Sequence, residues 1–359
     1  MQNRTLLIFN LELDLDSQVL ASSHDWVSEF AKKYEEVVVY TTHLGRTKLP
    51  TNVSVVEIGG GSFPKRILAV LRLFKSLKSV CRDRRVIHVF HHMSTRSLLL
   101  VGPVIRLLKV PQILWYSHSI ADLPLKLSQS FPNLIVSSNL KTVPVKKNSK
   151  VRAIGHGIEV SRFREEKELL SQKREGIIAL GRIVPVKNLE KLLEVISILT
   201  PEAREAIGNT RFIGPSGINL DYETKLNQMI SEKSLNVSFL GGLNYTKIPK
   251  ILESTSILFS GTPQSVDKVC LEAAMSGCLI LSDSSSVQEL TGMRDLFPTE
   301  RIRRDLQLQL EWILDLSERD IIELRREVIR ESRSSNGLDS LVLKVTSLFE
   351  EIETSYNLE

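Results

Sequence analysis

Two cations five residues apart, Arg182 and Lys187, stand in the run "GRIVPVKN", where an apolar strand pattern gives way to a helical one. Gly181 ahead of them lets the backbone approach a ligand closely. Arg and Lys at a strand end, beside a helix N-terminus, suit a diphosphate. A solvated surface loop is the plainer reading of the same residues. Further on, Glu272 sits in "VDKVCLEAAMSG" among Val, Cys, Ala and Met. Val266, Val269, Cys270, Ala273 and Gly277 follow the spacing of one buried helical face, whereas Lys268, Glu272 and Met275 share another. A charge on a packed helix needs a partner. Either Lys268 pairs with it at i, i+4, in the weaker orientation, or a ligand does.

Other chemistry-bearing groups are less complete. Asp14 and Asp16 form a literal Asp-x-Asp, a pattern that can hold a divalent cation, but matches of three residues arise by chance. His88, His91 and His92 in "HVFHH" lack a neighbouring Cys or carboxylate in sequence. No metal site is expected. "GGGSFP" follows a strand, but Pro64 occupies the last glycine position of a dinucleotide fingerprint, which argues against one.

These residues need a scaffold. Apolar strand patterns at "TLLIFNL", "EVVVYTT", "VSVVEI", "RVIHVF", "QILWYS" and "NLIVSS" alternate with helical ones, and the series restarts with "GIIALG", "RFIGP", "VSFLGG", "SILFSG" and "CLILSD". Continuous apolar strands separated by helices predict parallel sheets covered on both faces. Two series predict an α/β protein of two doubly wound Rossmann-like domains facing each other across a cleft, with ligands at the carboxyl ends of the strands. The expected boundaries are 1–158 for the first domain and 159–338 for the second, with "RAIGHGIEVSRF" as the connection. Residues 339–359 form a terminal helix that packs back toward the first domain.

The 359 residues are too many for one core and suit two. No apolar run reaches membrane-span length, and "MQNRTLLIFNLELDLD" reads as a first strand rather than a signal peptide. Cys81, Cys270 and Cys278 read as buried thiols in a reducing cytosol. Charge is uneven. Residues 1–158 carry 22 Lys and Arg against 10 Asp and Glu, net +12; the remainder carries 25 against 32, net −7, which sums to +5. The basic half favours an anionic partner. Residues 65–85 make an amphipathic helix with Lys65, Arg72, Lys75, Lys78 and Arg82 on one side and Val70, Phe74, Leu77 and Cys81 opposite. That pattern suits a solvated face or docking on anionic lipid. A nucleic-acid-binding α/β protein is the competing class, disfavoured because the basic stretches lack interleaved aromatics.

The runs "GRIVPVKN…LEKLLEVI", "FIGPSG", "VSFLGG", "LEAAMSGCLILSD" and "SVQEL", in that order, resemble the retaining family-4 glycosyltransferases of the GT-B fold. "AIGHGIEVSRF" resembles the family's interdomain linker and "LWYSHS" its histidine strand. The resemblance implies transfer of a sugar from a nucleotide diphosphate, UDP- or GDP-linked, with retention and no required cofactor or metal. It implies Arg182 and Lys187 on the diphosphate, where they stabilise charge on the leaving group, and His118 facing the donor sugar; these three are the catalytic candidates. Gly181, Gly214 and Gly241 would line the donor, with Gln264, Ser265, Val266 and Asp267 in the loop before the helix. Glu272 matches the second acid of the family's E-x7-E motif, which holds ribose hydroxyls. The first acid is Gln264 here, and the usual Gly-Gly loop after the first strand is replaced by "LDLDSQVLASSHDW". These departures define the alternative, a non-catalytic sugar-nucleotide-binding relative. The acceptor implied is a glycan or a lipid-linked group, as in polysaccharide biosynthesis. The expected location is the cytoplasm, peripheral at the cytoplasmic face of an anionic membrane, with no nucleic-acid partner.

Overall fold

The computed structural model describes residues 4–17, 20, 22–59, 71, 73–75, 77–78, 86–118, 120–140, 143–145, 149–263 and 266–358. The chain divides into two units, residues 1–157 with 338–359, and residues 158–337.

The first unit is built on seven parallel strands: β1 (Thr5–Leu13), β2 (Glu36–Leu44), β3 (Val53–Glu57), β4 (Val86–His92), β5 (Gln112–Trp115), β6 (Leu134–Ser137) and β7 (Val151–Ala153), ordered β3-β2-β1-β4-β5-β6-β7. The order reverses between β1 and β4, which opens a crevice at their carboxyl ends. Both faces are covered, so alternate residues of one strand enter different cores. Leu6 and Ile8 pack with Trp26, Phe30 and Phe90, whereas Leu7 and Phe9 pack with Tyr40, Val89 and Ile105. The terminal helix, Leu338–Leu358, buries Leu338, Leu341, Val342, Val345, Phe349 and Ile352 in the first of these cores. Their spacing of three and four is the apolar stripe of a helix. The strand β7 was not expected. It is three residues long, and it lies where the sequence reads as a connection.

The second unit carries β8 (Glu175–Leu180), β9 (Thr210–Ile213), β10 (Val237–Phe239), β11 (Thr255–Phe259) and β12 (Leu279–Leu281), all parallel, ordered β10-β9-β8-β11-β12. Its crevice falls between β8 and β11. One continuous core fills the unit, and Cys270 and Cys278 lie within it. Burial pushes their thiols up to about 12 and about 11, so both are inert at neutral pH. Cys81 and most of the basic helix at 65–85 lie outside the described residues. Within it, Leu73 and Leu77 are buried and Lys75 and Lys78 exposed. Among the described residues, no helix is long and apolar enough to cross a membrane.

The histidines of β4 are packing residues. The His88 ring stacks on Phe349 at 4.1 Å, with Nδ1 2.6 Å from the Tyr34 hydroxyl and Nε2 3.1 Å from a Glu353 carboxylate oxygen. His91 stacks on Phe9 at 5.0 Å and His92 on Trp26 at 4.6 Å. Desolvation pushes their pKa values down to about 3, about 3 and about 4, so all three are neutral. The unfolded chain therefore binds protons first as pH falls. Stability is constant above an unfolded histidine pKa of about 6.5 and declines below it by up to about 1.4 kcal/mol per pH unit for each histidine. Urea unfolding at neutral and mildly acid pH should show that loss, and His91→Phe should make it shallower. An unchanged pH slope in His91→Phe would remove His91 from the account.

Candidate active site

The carboxyl ends of β8, β9 and β10 bring three glycine turns side by side. Gly181 follows β8 at φ +136°, a conformation open to glycine. Its amide donates to the Ile213 carbonyl, and the Gly214 amide donates to the Gly241 carbonyl, each at 2.9 Å. A Cβ on residue 214 would lie 1.8 Å from the Gly181 carbonyl oxygen, so these two backbones meet with no room for a side chain. Gly241 turns at φ +69° with open space where a Cβ would be.

Beyond Gly181 the chain makes a tight turn, Pro185–Lys187, then passes through Asn188 in the left-handed region into the helix Leu189–Ile198. The Asn188 side chain donates to the Gly261 carbonyl at 2.7 Å and so ties this turn to the loop after β11. A Cβ on residue 261 would meet the Lys187 carbonyl at 2.5 Å. Arg182, Lys187, Gly181, Ser260, Thr262 and Asp267 line one shallow hollow there. The Lys187 ammonium lies 2.5 Å from an Asp267 carboxylate oxygen, which also accepts from the Thr262 hydroxyl at 2.9 Å. Asp267 precedes the helix Lys268–Met275, yet its carboxylate turns to Lys187 and Thr262 and does not cap the helix amides. Arg182 is exposed and makes no hydrogen bond or ion pair with any described residue.

Glu272 is buried on that helix. The Tyr245 hydroxyl donates to its Oε1 at 2.5 Å, and the Lys268 ammonium lies 3.1 Å from the same oxygen. Lys268 also donates to the Tyr245 hydroxyl. The Tyr245 ring has two cations over it, Lys268 and Arg162, each 4.6 Å from its centroid. The helix stops at a left-handed Gly277, φ +84°. Its last carbonyls are held by two arginines. Arg174 donates to the Ser276 carbonyl at 2.5 Å, and Arg333 to the Met275 carbonyl at 3.0 Å. Cations at a helix C-terminus oppose the dipole's negative end.

The second unit thus brings together Gly181, Arg182, Lys187, Gly214, Gly241 and Asp267, with Glu272 on the helix that Asp267 begins. Val266 is buried in the core. Gln264 and Ser265 lie outside the described residues. His118 belongs to the first unit, exposed after β5. Its Nδ1 accepts from the Ile120 amide at 3.1 Å, which places the proton of the neutral ring on Nε2. Tyr245, Thr262, Arg162, Arg174 and Arg333 were not expected. Tyr245 and Thr262 stand in polar turns with no local signal, and the arginines act over long sequence separations.

The Asp-x-Asp of the first unit closes a loop. Asp14 accepts from the Asp16 and Arg46 amides at 3.0 Å, and Asp16 pairs with the Arg46 guanidinium. Ligand atoms of Glu12, Asp14 and His43 lie within 4.8 Å of one another; Glu12 and Asp14 are half-buried and His43 is exposed.

Residues 161–333 match the family model described as glycosyl transferases group 1. The match lies within the second unit. The fold of the whole chain is that of solved GT-B glycosyltransferases. HepE of Anabaena, solved with UDP and glucose, aligns at 13% identity and a TM-score of 0.68, covering 96% of this chain and 99% of its own. A glycosyltransferase of Rickettsia africae aligns at 12% identity and 0.67, covering 98% and 99%. Sucrose-phosphate synthase of Thermosynechococcus elongatus aligns at 11% and 0.66, covering 98% and 100%. No curated protein matches the sequence.

The Gly181–Gly214 approach borders the hollow, which Gly181 lines. Gly214→Ala should cost about 1–3 kcal/mol through a forced backbone shift. Gly241→Ala, facing open space, should cost about 1–2 kcal/mol for the left-handed conformation alone. Urea titration of both variants measures these losses; parental stability in Gly214→Ala would remove the close contact from the account.

Proposed function

We propose that the chain transfers a sugar, with retention, from a nucleoside-diphosphate donor bound at the second unit. The observation that carries this reading is Arg182: an exposed guanidinium without a partner among the described residues, beside Lys187, at a glycine turn on the carboxyl edge of the sheet. The diphosphate would lie against these two cations. Their charge opposes the negative charge that develops on the leaving nucleotide as the glycosidic bond breaks. Lys187 would exchange or share Asp267 with the phosphate, and Asp267 holds the ammonium in place meanwhile. Glu272 is assigned to the ribose hydroxyls, and Gly214 and Gly241 to close backbone approach by the nucleotide. From the first unit the reading takes His118, whose Nε2–H is available to the transferred sugar. HepE binds UDP, glucose and UDP-glucose, and a UDP-sugar is the donor proposed for this chain. The acceptor proposed is a glycan or lipid-linked group, with the enzyme seated at an anionic membrane surface, in keeping with its basic first half.

Gln264 supports a second reading, a sugar-nucleotide-binding relative without transfer, because it places a neutral amide where the family's motif carries an acid. Binding and turnover separate the two. Calorimetry should show UDP binding that weakens by about 1.5–3 kcal/mol in Arg182→Ala and in Lys187→Ala, the range for charge-assisted hydrogen bonds. Glu272→Ala should weaken it similarly. If Glu272 serves Lys268 and Tyr245 alone, its loss will lower thermal stability and leave UDP affinity as it was. Unchanged affinity in both cation variants would remove the donor site. Proton NMR of the released sugar from UDP-glucose reports retention or inversion directly, and an inverted product would overturn the stereochemical assignment.

A further inference from the structure

The outer face of the helix Thr95–Leu107 is apolar. Leu98, Val101 and Ile105 point into the sheet, as a surface helix requires. On the opposite side, where polar residues belong, stand Leu100, Val104 and Leu107, spaced i, i+4 and i+7. Leu107 is 84% exposed. The helix Leu123–Ser128 packs beside it, and Leu98 and Leu125 share one core with Leu114 of β5 and Ile135 of β6. It too turns apolar groups outward: Leu123 is 67% and Leu127 57% exposed, and Ile120 just before it 66%. Single exposed leucines are ordinary, but a contiguous apolar patch on neighbouring elements marks a surface that something covers.

The charges around the patch say what. Arg96, Arg106, Lys109 and Lys126 are all exposed on these two helices and their ends. The lone acid between residues 95 and 128 is Asp122, and it is already engaged. Its carboxylate accepts from the Thr95 hydroxyl and from the Leu125 amide, each at 2.8 Å. Aliphatic groups flanked by cations that form no ion pair with any described residue fit a bilayer interface of anionic lipid, where apolar side chains enter the acyl boundary and cations meet the headgroups. A second copy of the chain fits poorly. A two-fold contact sets a patch against itself, so the cations would face their own images. Nucleic acid fits poorly as well, because the patch is aliphatic and offers bases no aromatic ring for stacking.

We propose that the helices Thr95–Leu107 and Leu123–Ser128 form a docking surface for an anionic membrane, with Leu107, Ile120, Leu123 and Leu127 as the inserted groups. This surface is independent of the donor site and stands whatever nucleotide the second unit takes.

Sedimentation with vesicles of equal parts phosphatidylglycerol and phosphatidylcholine tests it, against pure phosphatidylcholine. The full chain should partition onto the anionic vesicles and come off as salt is raised. The triple variant Leu107→Ser, Leu123→Ser, Leu127→Ser should bind at least about tenfold more weakly. The pair Lys109→Glu, Lys126→Glu should also bind more weakly, with a flatter salt dependence. These side chains are exposed, so thermal melts should stay at the parent value and exclude unfolding as the cause. Three results would overturn the proposal: no partition of the parent, undiminished partition of the triple variant, or light scattering that shows a dimer which the triple variant abolishes.

Discussion

A contact of backbone on backbone governs the second unit. The Gly181 carbonyl lies within 1.8 Å of where a Cβ on residue 214 would be, so the turns after β8 and β9 touch through their main chains. The same pattern recurs across the crevice, where a Cβ on residue 261 would strike the Lys187 carbonyl. With side chains excluded from both contacts, the loops after β8, β9 and β11 form a wall of backbone at the sheet's carboxyl edge. Arg182, Lys187 and Asp267 stand on that wall. Their mutual positions are set by main-chain geometry more than by the rotamers of long side chains, which are costly to order.

The strands were legible because buried parallel strands are written as continuous apolar runs. "GIIALG" and "CLILSD" needed no partner to be recognised. β7 was not, since three residues with Arg152 in the middle carry too little apolar content to stand out from a connection. At the site, Arg182 and Lys187 were visible because the turn that holds them is local. The partner of Lys187 was not, because Asp267 comes from the far side of the crevice and is adjacent only once β8 and β11 pair. Tyr245 escaped for the same reason. The i, i+4 pair of Glu272 with Lys268, one of the two partners that the helical period allowed, is formed.

The helix that bears Glu272 is fixed at its far end by buried cations. Arg174 is desolvated, and that burial lowers its pKa. It is tolerated because its guanidinium meets carbonyl oxygens of Leu169, Leu252, Thr255 and Ser276. Five fixed donors on one planar group suit such a cluster of acceptors, and a lysine would not span it. Arg333 adds a second hold on the final turn. The helix therefore cannot slide along its axis without uncovering a buried charge. Its N-terminal end, with Asp267 against Lys187, is held in register with the turn after β8.

The ion pair with Lys268 does not by itself decide what Glu272 is for. An ionised carboxylate offers about four lone-pair directions over two oxygens. Tyr245 and Lys268 both approach Oε1, and two acceptor directions on Oε2 lie outside that pair. A vicinal diol, such as the ribose of the proposed donor, presents two hydroxyls spaced to meet one carboxylate. Tyr245 and Lys268 then have a definite consequence. Both donate to Oε1, so the buried carboxylate is hydrogen-bonded and paired with a cation. The cost of taking this charge out of water is offset within the protein, before any ligand arrives. A site so prepared loses little on binding, since it need not reorder. The same donors that make Glu272 look like a structural residue are thus what a buried acceptor for the proposed ribose would require.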